Sequence, residues 1–421
     1  MKKTEKLLGF IGILLLLILG KNLLKTDMLF FRLVIGAGLG YTLSRAYTGF
    51  AGSINRAYTV GSTKLMRTLM FMFFITALLS TAFLFKADLA NYDLWINPIN
   101  LGLILGALLF GFGMAFSSCC ASGVLTDLIT GLPRAFITLV FFGLGVFIGF
   151  PIQNTASWVK NSWITSPVGE LKSGGVYLPD LFKWDGLEGY LGALVLIALF
   201  CGLVVILSYR YERYCKEKKT YIGHSMEKVQ DQKVPFDSKD FKLFSSATYD
   251  RLFAKPWTLV QGAVVLSILF SLLMGVTKAG WGASTPYGIW FGKLLMVFGV
   301  SADSIASFTK MSADAFNLPL FENAVTVQNF GILLGTVLFL LTAGKFKETF
   351  MSEMHISVKE FLLFALGGIT MGLGTRLGNG CNVGALYTPI ANFSLSGWMF
   401  LIFMVAGGFI GNKFAKIGFK R

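Results

Sequence analysis

GFGMAFSSCCASG at residues 111–123 and GLGTRLGNGCNVG at residues 372–384 decide the fold, because an apolar chain carries one pattern twice. Four pairs of residues keep a spacing of 261 without a gap: Gly111 and Gly372, Gly113 and Gly374, Cys120 and Cys381, and Gly123 and Gly384. Glycine weakens a helix interior because it loses the most conformational freedom on ordering. The repeated pattern therefore predicts two matching interruptions of membrane helices, one in each half of the chain.

The composition of the chain indicates a membrane protein. Of the 421 residues, 54% are hydrophobic and 14% are charged, and the mean hydropathy is +0.67; soluble domains carry about 25% charged residues. Crossing ~30 Å of hydrocarbon takes about 20 apolar residues. Ten runs are long enough: residues 7–24, 28–48, 63–86, 99–117, 134–156, 188–209, 257–275, 324–345, 358–376 and 396–414. A weaker run covers residues 286–301. We expect an all-α polytopic membrane protein with about ten spanning helices.

The formal charge of +15 comes from basic residues in the connecting segments. The positive-inside rule explains such residues as topology signals, so we expect lipid around the chain and no nucleic-acid partner. The basic residues are densest in residues 210–256 and at the C-terminus, and they include Lys216, Lys218, Lys219, Lys228 and Lys233, then Lys413, Lys416, Lys420 and Arg421. These segments are predicted to be cytoplasmic, on a multi-pass protein of the bacterial inner membrane.

A second pair of interruptions precedes the glycine-cysteine pair. GFAGS at residues 49–53 resembles GWGAS at residues 280–284, at a spacing of 231. The segments that follow the four breaks are too short to cross a membrane: residues 50–59, 120–131, 282–291 and 381–391. We therefore predict an internal duplication with four half-membrane helices meeting centrally. We expect inverted repeats, with residues 286–301 not crossing the membrane; the repeats are parallel if those residues cross.

These repeats predict the following organisation: an uncleaved N-terminal helix at residues 1–27, a first transmembrane repeat at 28–187, a connecting transmembrane helix at 188–209, the cytoplasmic linker at 210–256 and a second transmembrane repeat at 257–421. Broken helices are tolerated in a membrane only where protein or a water-filled cavity satisfies the freed backbone groups. Paired breaks in two halves indicate a transport site near the midplane. The alternative is that the glycines only let helices pack closely.

The groups at the breaks are suited to an anion. Cys120 and Cys381 begin short helices, whose free N–H groups and dipole favour negative charge. Uncharged donors and small residues surround them: Ser122, Asn382, Ser53, Ser284, Gly123, Gly380 and Gly384. Arg376 either supplies a buried positive charge or extends to the membrane surface. Carboxylates are nearly absent from the breaks, Asp127 being the exception, so we expect no metal ion and no cofactor.

Cys119 lies beside Cys120 but has no counterpart in the second half. We expect it to assist Cys120 along the solute path. Adjacent cysteines also form disulfides or bind soft metals, which leaves a membrane thiol redox protein as an alternative. The chain contains no nucleophile elbow, P-loop or dinucleotide fingerprint, so an enzyme is not expected.

GFGMAFSSCCASGVL, GTRLGNGCNVGAL and the closing GWMFLIFMVAGGFIGNKF resemble the YeeE/YedE family of sulfur-compound transporters over residues 28–414. The resemblance implies an hourglass of helices and uptake of thiosulfate, or of selenium compounds in some members. It also implies that path cysteines guide the solute by S–H hydrogen bonds, with Cys120 and Cys381 at two such positions. A third cysteine is expected in the first break, but SRAYTGFAGSINR has none.

The leading hypothesis is an inner-membrane permease that imports a small sulfur-containing anion, with thiosulfate as the first choice. Alternatives are a selenium-compound transporter, the redox protein at Cys119 and Cys120, and a channel or subunit that docks a partner on residues 210–256. A cytoplasmic sulfur-carrier protein is a further expected partner.

Overall fold

A computed structural model describes residues 2–232, 242 and 245–418. Its secondary structure is helical over these ranges, apart from two isolated bridges that pair Asp93 with Ala279 and Tyr177 with Ser394. This confirms the all-α class. Three of the basic topology signals, Lys233, Lys420 and Arg421, lie outside the described residues.

The helices follow the chain in this order: α1 Lys2–Leu23, α2 Asp27–Ala46, α3 Phe50–Val60, α4 Lys64–Leu84, α5 Leu101–Ser117, α6 Ala121–Thr130, α7 Leu132–Thr155, α8 Ser157–Lys160, α9 Pro167–Glu170, α10 Tyr190–Glu217, α11 Ser225–Asp231, α12 Ser246–Tyr249, α13 Leu259–Thr277, α14 Thr285–Val297, α15 Ala302–Thr309, α16 Asp314–Asn317, α17 Ala324–Ala343, α18 Phe346–Phe350, α19 Val358–Leu377, α20 Thr388–Ala391 and α21 Leu395–Gly418. Tighter 3₁₀ turns cover Leu89–Asn91, Leu178–Asp185 and Leu320–Glu322, and wider π-helical segments cover Asp250–Ala254 and Asn382–Tyr387.

Within the described ranges, nine helical segments are long and apolar enough to cross a membrane. They are α1, α4, α5 with α6, α7, α10, α13, α17, α19 through α20, and α21. The protein is therefore a polytopic membrane protein. The tenth expected span, α2, is 20 residues long but carries Asp27, Arg32 and Arg45, and it is not among the nine.

Helix α2 lies in direct backbone contact with α17, which is one of the nine. A Cβ atom on Gly36 would lie 2.3 Å from the carbonyl oxygen of Gln328, and one on Gly40 would lie 1.9 Å from that of Ile332. Only glycine allows two backbones to approach so closely. Because these contacts recur one turn apart, α2 runs beside α17 through the apolar body of the protein.

The paired glycines of the two long breaks also lie at helix contacts. A Cβ atom on Gly111 would lie 2.1 Å from the carbonyl oxygen of Met404 on α21, and one on Gly372 would lie 2.4 Å from that of Phe142 on α7. Close packing therefore explains these glycines, as the alternative reading of the repeats proposed. The cysteines that follow them need a separate explanation.

Four short helical segments occupy the places where half-membrane helices were expected. They are α3, α6, α14, and the π-helical segment Asn382–Tyr387 continued by α20. With 13 residues, α14 is about 20 Å long, too short to cross ~30 Å of hydrocarbon. The C-terminal end of α3 lies on the side of the linker, where the Val60 carbonyl accepts from the N–H groups of Ile222 and Gly223. The internal duplication and its inverted order stay predictions.

Candidate functional site

The four breaks contact one another in the middle of the fold. The ring centroid of Phe50, the first residue of α3, lies 6.3 Å from that of Trp281 and 5.9 Å from that of Tyr387. The hydroxyl of Tyr287 on α14 donates a hydrogen bond to the carbonyl oxygen of Ala121, the first residue of α6. Residues of the four breaks and their short helices therefore form one cluster, although they come from four parts of the chain.

Cys120 and Cys381 lie in this cluster, and each is 1% exposed. Each has extended backbone and directly precedes a short helical segment. The segment that follows Cys381 contacts α6, which follows Cys120, and Tyr287 bonds to the residue directly after Cys120. The sulfur of Cys120 also lies 3.5 Å from the hydroxyl of Ser122. All of these thiols are free, so the cluster presents S–H and O–H groups in a closed, apolar layer.

A cavity of about 770 Å³ lies on the linker side of this layer. Its wall includes Cys119, Cys120, Ser122, Gly123 and Asp127, and it extends to the exposed side chains of Lys345 and Lys416. The cavity therefore joins the thiol layer to the basic surface of the protein.

A second cavity of about 380 Å³ lies on the other side of the layer, and Arg376 lines it. The guanidinium of Arg376 donates to the hydroxyl of Ser284 at 3.0 Å, to that of Thr285 at 3.2 Å and to the amide oxygen of Gln153 at 3.3 Å. Over the described residues no carboxylate lies within 4.0 Å of it. Arg376 is only 4% exposed and also interacts with Cys381.

A buried cation without a counter-charge is costly in a membrane protein and marks a functional site. The head group of Arg376 turns inward to Ser284, which does not fit a side chain that extends to the membrane surface. The second cavity can therefore attract an anion toward the thiol layer.

Three breaks each hold a buried polar side-chain atom that lacks a hydrogen-bond partner in the described part of the chain. They are the hydroxyl of Thr48, the indole nitrogen of Trp281 and the amide oxygen of Asn382. The amide nitrogen of Asn382 lies 3.1 Å from the sulfur of Met114. Unpaired buried polar groups are rare, and they often indicate a place that a polar solute or water occupies.

Three further expected site residues have identifiable structural roles. Ser53 is buried, and its hydroxyl donates back to the carbonyl oxygen of Phe50 at 2.8 Å, so it is part of the packing of α3. Gly384 faces Trp95, since a Cβ atom at this position would lie 3.0 Å from the indole ring. Gly380 has a φ of +156°, a conformation that other residues rarely adopt, and this allows the sharp turn before Cys381.

Several residues in the cluster were not predicted from the sequence. At the spacing of 231 the counterpart of Tyr287 is Arg56, which is chemically unrelated, so the repeat did not point to it. Gln153 is at the end of α7, and its side chain joins Arg376 to Asn379 through hydrogen bonds of 3.3 and 2.8 Å. The signal that could have found Tyr287 and Trp281 is their position directly beside a break.

The first part of the linker covers α3 at the edge of the larger cavity. Glu227 on α11 pairs with Arg56 at 3.0 Å and accepts from the hydroxyl of Ser62 at 2.5 Å. His224 lines the cavity, and burial, together with the nearby Arg56, lowers the pKa of its imidazole. A neutral His224 leaves the arginine and lysine side chains as the positive charges of this cavity.

The chain is similar to known proteins over most of its length. A family model described as "Sulphur transport" matches residues 45–410. The thiosulfate transporter TsuA of Spirochaeta thermophila is 25% identical over 391 residues, which cover 90% of this chain and 97% of that protein. The TsuA of Escherichia coli is 21% identical over 90% of this chain and 93% of its own length. The probable transporter YedE of E. coli is 29% identical over 163 residues, 39% of each chain.

Proposed function

This chain belongs to the Sulphur transport family, and we propose that it imports thiosulfate across the bacterial inner membrane, guided by the thiols of Cys120 and Cys381. The family and its named relatives are transporters, which makes this a transporter of sulfur compounds. The solute, the direction and the cysteine-guided path are the proposal.

One observation carries the proposal: the thiol of Cys120 lines the larger cavity, and the second, outer cavity holds a buried arginine without a carboxylate partner in the described residues. Arg376 draws the anion in from the side opposite the linker. Cys381 and then Cys120 donate S–H hydrogen bonds to its terminal sulfur. The anion then reaches the larger cavity, where Ser122 offers a further O–H group.

The short helices add to this attraction. The starts of α3, α6 and α14 lie in the central cluster, and the N-terminal end of a helix carries about half a positive charge. Uncharged donors suit a permeating anion because they bind it without holding it as firmly as a fixed cation. A third thiol was expected in the first break; Thr48 supplies a donor there instead, and Trp281, whose ring lies 6.3 Å from that of Phe50, supplies another from the third break.

The basic residues support the proposed orientation of the path. Lys345 and Lys416 lie at the mouth of the larger cavity, and the positive-inside rule assigns that side to the cytoplasm. Solute released there is available to a cytoplasmic sulfur-carrier protein. A selenium compound with the same charge and shape is the alternative solute, because the same donors would bind it.

Uptake of radiolabelled thiosulfate by a bacterial strain that lacks its own importers tests the proposal. Cells that express the chain should take up the label, and the variant Cys381→Ala should lose most of this uptake. Cys201→Ala is the matched control, because Cys201 is buried on α10 and its thiol donates to the carbonyl oxygen of Met70, away from the cluster. Full uptake by Cys381→Ala would remove the central role of this thiol.

A further inference from the structure

One side chain in the outer cavity links the buried arginine to the turn that precedes Cys381. Gln153, near the end of α7, accepts a hydrogen bond from the guanidinium of Arg376 at 3.3 Å and donates one to the amide oxygen of Asn379 at 2.8 Å. Gln153, Arg376 and Asn379 all line this cavity. An anion that enters the cavity can therefore contact each member of this chain of hydrogen bonds.

The end of α7 is shaped around Arg376. A Cβ atom on Gly149 would lie 2.6 Å from the side chain of Arg376, so only glycine leaves room for the arginine there. The centroid of the Phe150 ring lies 5.4 Å from the central carbon of the guanidinium, close enough for a cation–π contact. Gln153 follows four residues after Gly149, on the same face of the helix. The helix that packs against the arginine therefore also positions Gln153.

Asn379 belongs to the turn that carries Cys381. Its φ of +57° is left-handed, a conformation that costs free energy for residues with a Cβ atom. It lies between Gly378 and Gly380, and Gly380 has a φ of +156°. Glycines on both sides let the turn change its backbone angles at little cost. The hydrogen bond from Gln153 therefore restrains a turn whose backbone can change, directly beside the segment that holds the thiol.

We propose that Gln153 is a positioning residue that transmits the capture of the anion to Cys381. This inference rests on the proposed function. An anion beside Arg376 takes over the N–H group that Gln153 accepts, because a charged acceptor binds it about twice as strongly as a neutral amide does. Gln153 then releases Asn379, the turn changes its backbone angles, and the thiol of Cys381 moves toward the outer cavity to meet the anion. Without an anion, the bridge through Gln153 holds the thiol in the closed layer.

Among the hydroxyl and amide acceptors around the guanidinium, Gln153 is the one that an anion displaces most easily. The hydroxyls of Ser284 and Thr285 accept from it at 3.0 and 3.2 Å. Both are on short side chains that stay close to the backbone at the start of α14. Gln153 is half-buried, and its long side chain can turn away without any movement of α7. An anion can therefore replace Gln153 while the bonds to α14 keep Arg376 in place.

A first variant, Gln153→Met, tests whether the bridge holds the thiol. It keeps the length of the side chain but loses both hydrogen bonds. Right-side-out membrane vesicles that contain the full chain are treated, without thiosulfate, with a methanethiosulfonate reagent that carries a sulfonate group, and peptide mass spectrometry measures the labelling rate of Cys381. The variant should be labelled about tenfold faster than the wild type, because one lost hydrogen bond shifts an opening equilibrium by roughly that factor. Its half-saturating thiosulfate concentration should stay within about threefold of the wild-type value, since Arg376 keeps its charge.

A second variant, Gln153→Glu, should give the opposite pair of results. The carboxylate accepts from Arg376, and Asn379 can turn its amide to donate to it, so the bridge remains. The carboxylate also supplies the counter-charge that Arg376 lacks in the described residues. The half-saturating thiosulfate concentration should therefore rise at least about tenfold, while Cys381 should be labelled as slowly as in the wild type.

Asn154→Ala is the matched control, because the amide of Asn154 bonds to the carbonyl oxygens of Thr309 and Lys310 instead. It should change neither measurement by more than about twofold. Wild-type labelling of Cys381 in Gln153→Met would overturn the inference, and so would a wild-type half-saturating concentration in Gln153→Glu. Wild-type vesicles that take up no thiosulfate would contradict the proposed function itself. The labelling rates are measured without thiosulfate, so the two failures can be told apart.

Discussion

Replacing Arg376 should weaken solute capture more than any other single change in the outer cavity. In Arg376→Gln the side chain keeps a polar end but loses its charge and most of its donors to Ser284, Thr285 and Gln153. A dianion about 4 Å from a unit charge gains ~4 kcal/mol per unit of its own charge at an effective dielectric constant of about 20. Desolvation offsets part of this gain.

A net loss of about 2–4 kcal/mol is expected, which corresponds to a decrease of about 30- to 700-fold in uptake at low thiosulfate concentration. Arg376→Lys keeps the charge but loses the planar array of donors, so a smaller loss of about tenfold is expected. The assay is the initial rate of labelled uptake in proteoliposomes, with the protein quantified and shown to be folded by its elution from a sizing column.

The control is Arg210→Gln, which removes an exposed arginine on the linker side of α10. It should leave the rate within about twofold of the wild type. If Arg376→Gln is folded and transports at a rate within about threefold of the wild type, the charge does not capture the solute and the reasoning is wrong.

Three further predictions concern other parts of the fold. Glu227→Gln breaks a buried ion pair with Arg56, at a cost of about 3 kcal/mol. Backbone hydrogen exchange in α11, the helix that carries Glu227, should therefore be roughly a hundredfold faster, and unchanged exchange would contradict this prediction. Gly372→Ala places a Cβ atom 2.4 Å from a carbonyl oxygen of α7, so we expect a loss of about 1–3 kcal/mol in stability, and a thermal midpoint equal to that of the wild type would refute the contact. Backbone N–H groups at the start of α10, that of Gly192 first, lower the pKa of the Asp185 carboxyl. This stabilisation is present above the ordinary pKa of Asp and is lost as the pH falls through the lowered value. Asp185→Asn should therefore have a lower thermal midpoint than the wild type at neutral pH, and the two midpoints should become equal in acid. A difference between the midpoints that grows in acid would contradict the assignment.

The sequence predicted the elements of the site better than its contacts. Four breaks and the short helices after them could be read from glycine spacing, because broken membrane helices need that local chemistry. The partners of Arg376 could not be read from the sequence, since Gln153 and Ser284 lie 223 and 92 residues away from it in the chain. Tyr287 was not predicted because the matching position of the first half holds Arg56.

The glycines show a second limit of the sequence argument. Gly372 packs against α7, while Gly123 lines the larger cavity, although both belong to the repeated pattern. Small residues serve close helix packing and a solute path equally well. Only the position of the neighbouring helices separates the two uses.

The position of a bound solute tests the central claim most directly. Selenosulfate has the charge and shape of thiosulfate, with selenium as its terminal atom, and anomalous X-ray scattering locates selenium in a crystal of the protein. We expect a selenium peak within hydrogen-bonding distance of the sulfurs of Cys120 or Cys381, and its loss in a variant with alanine at both positions. A peak that lies away from both thiols and persists in that variant would contradict the proposed path.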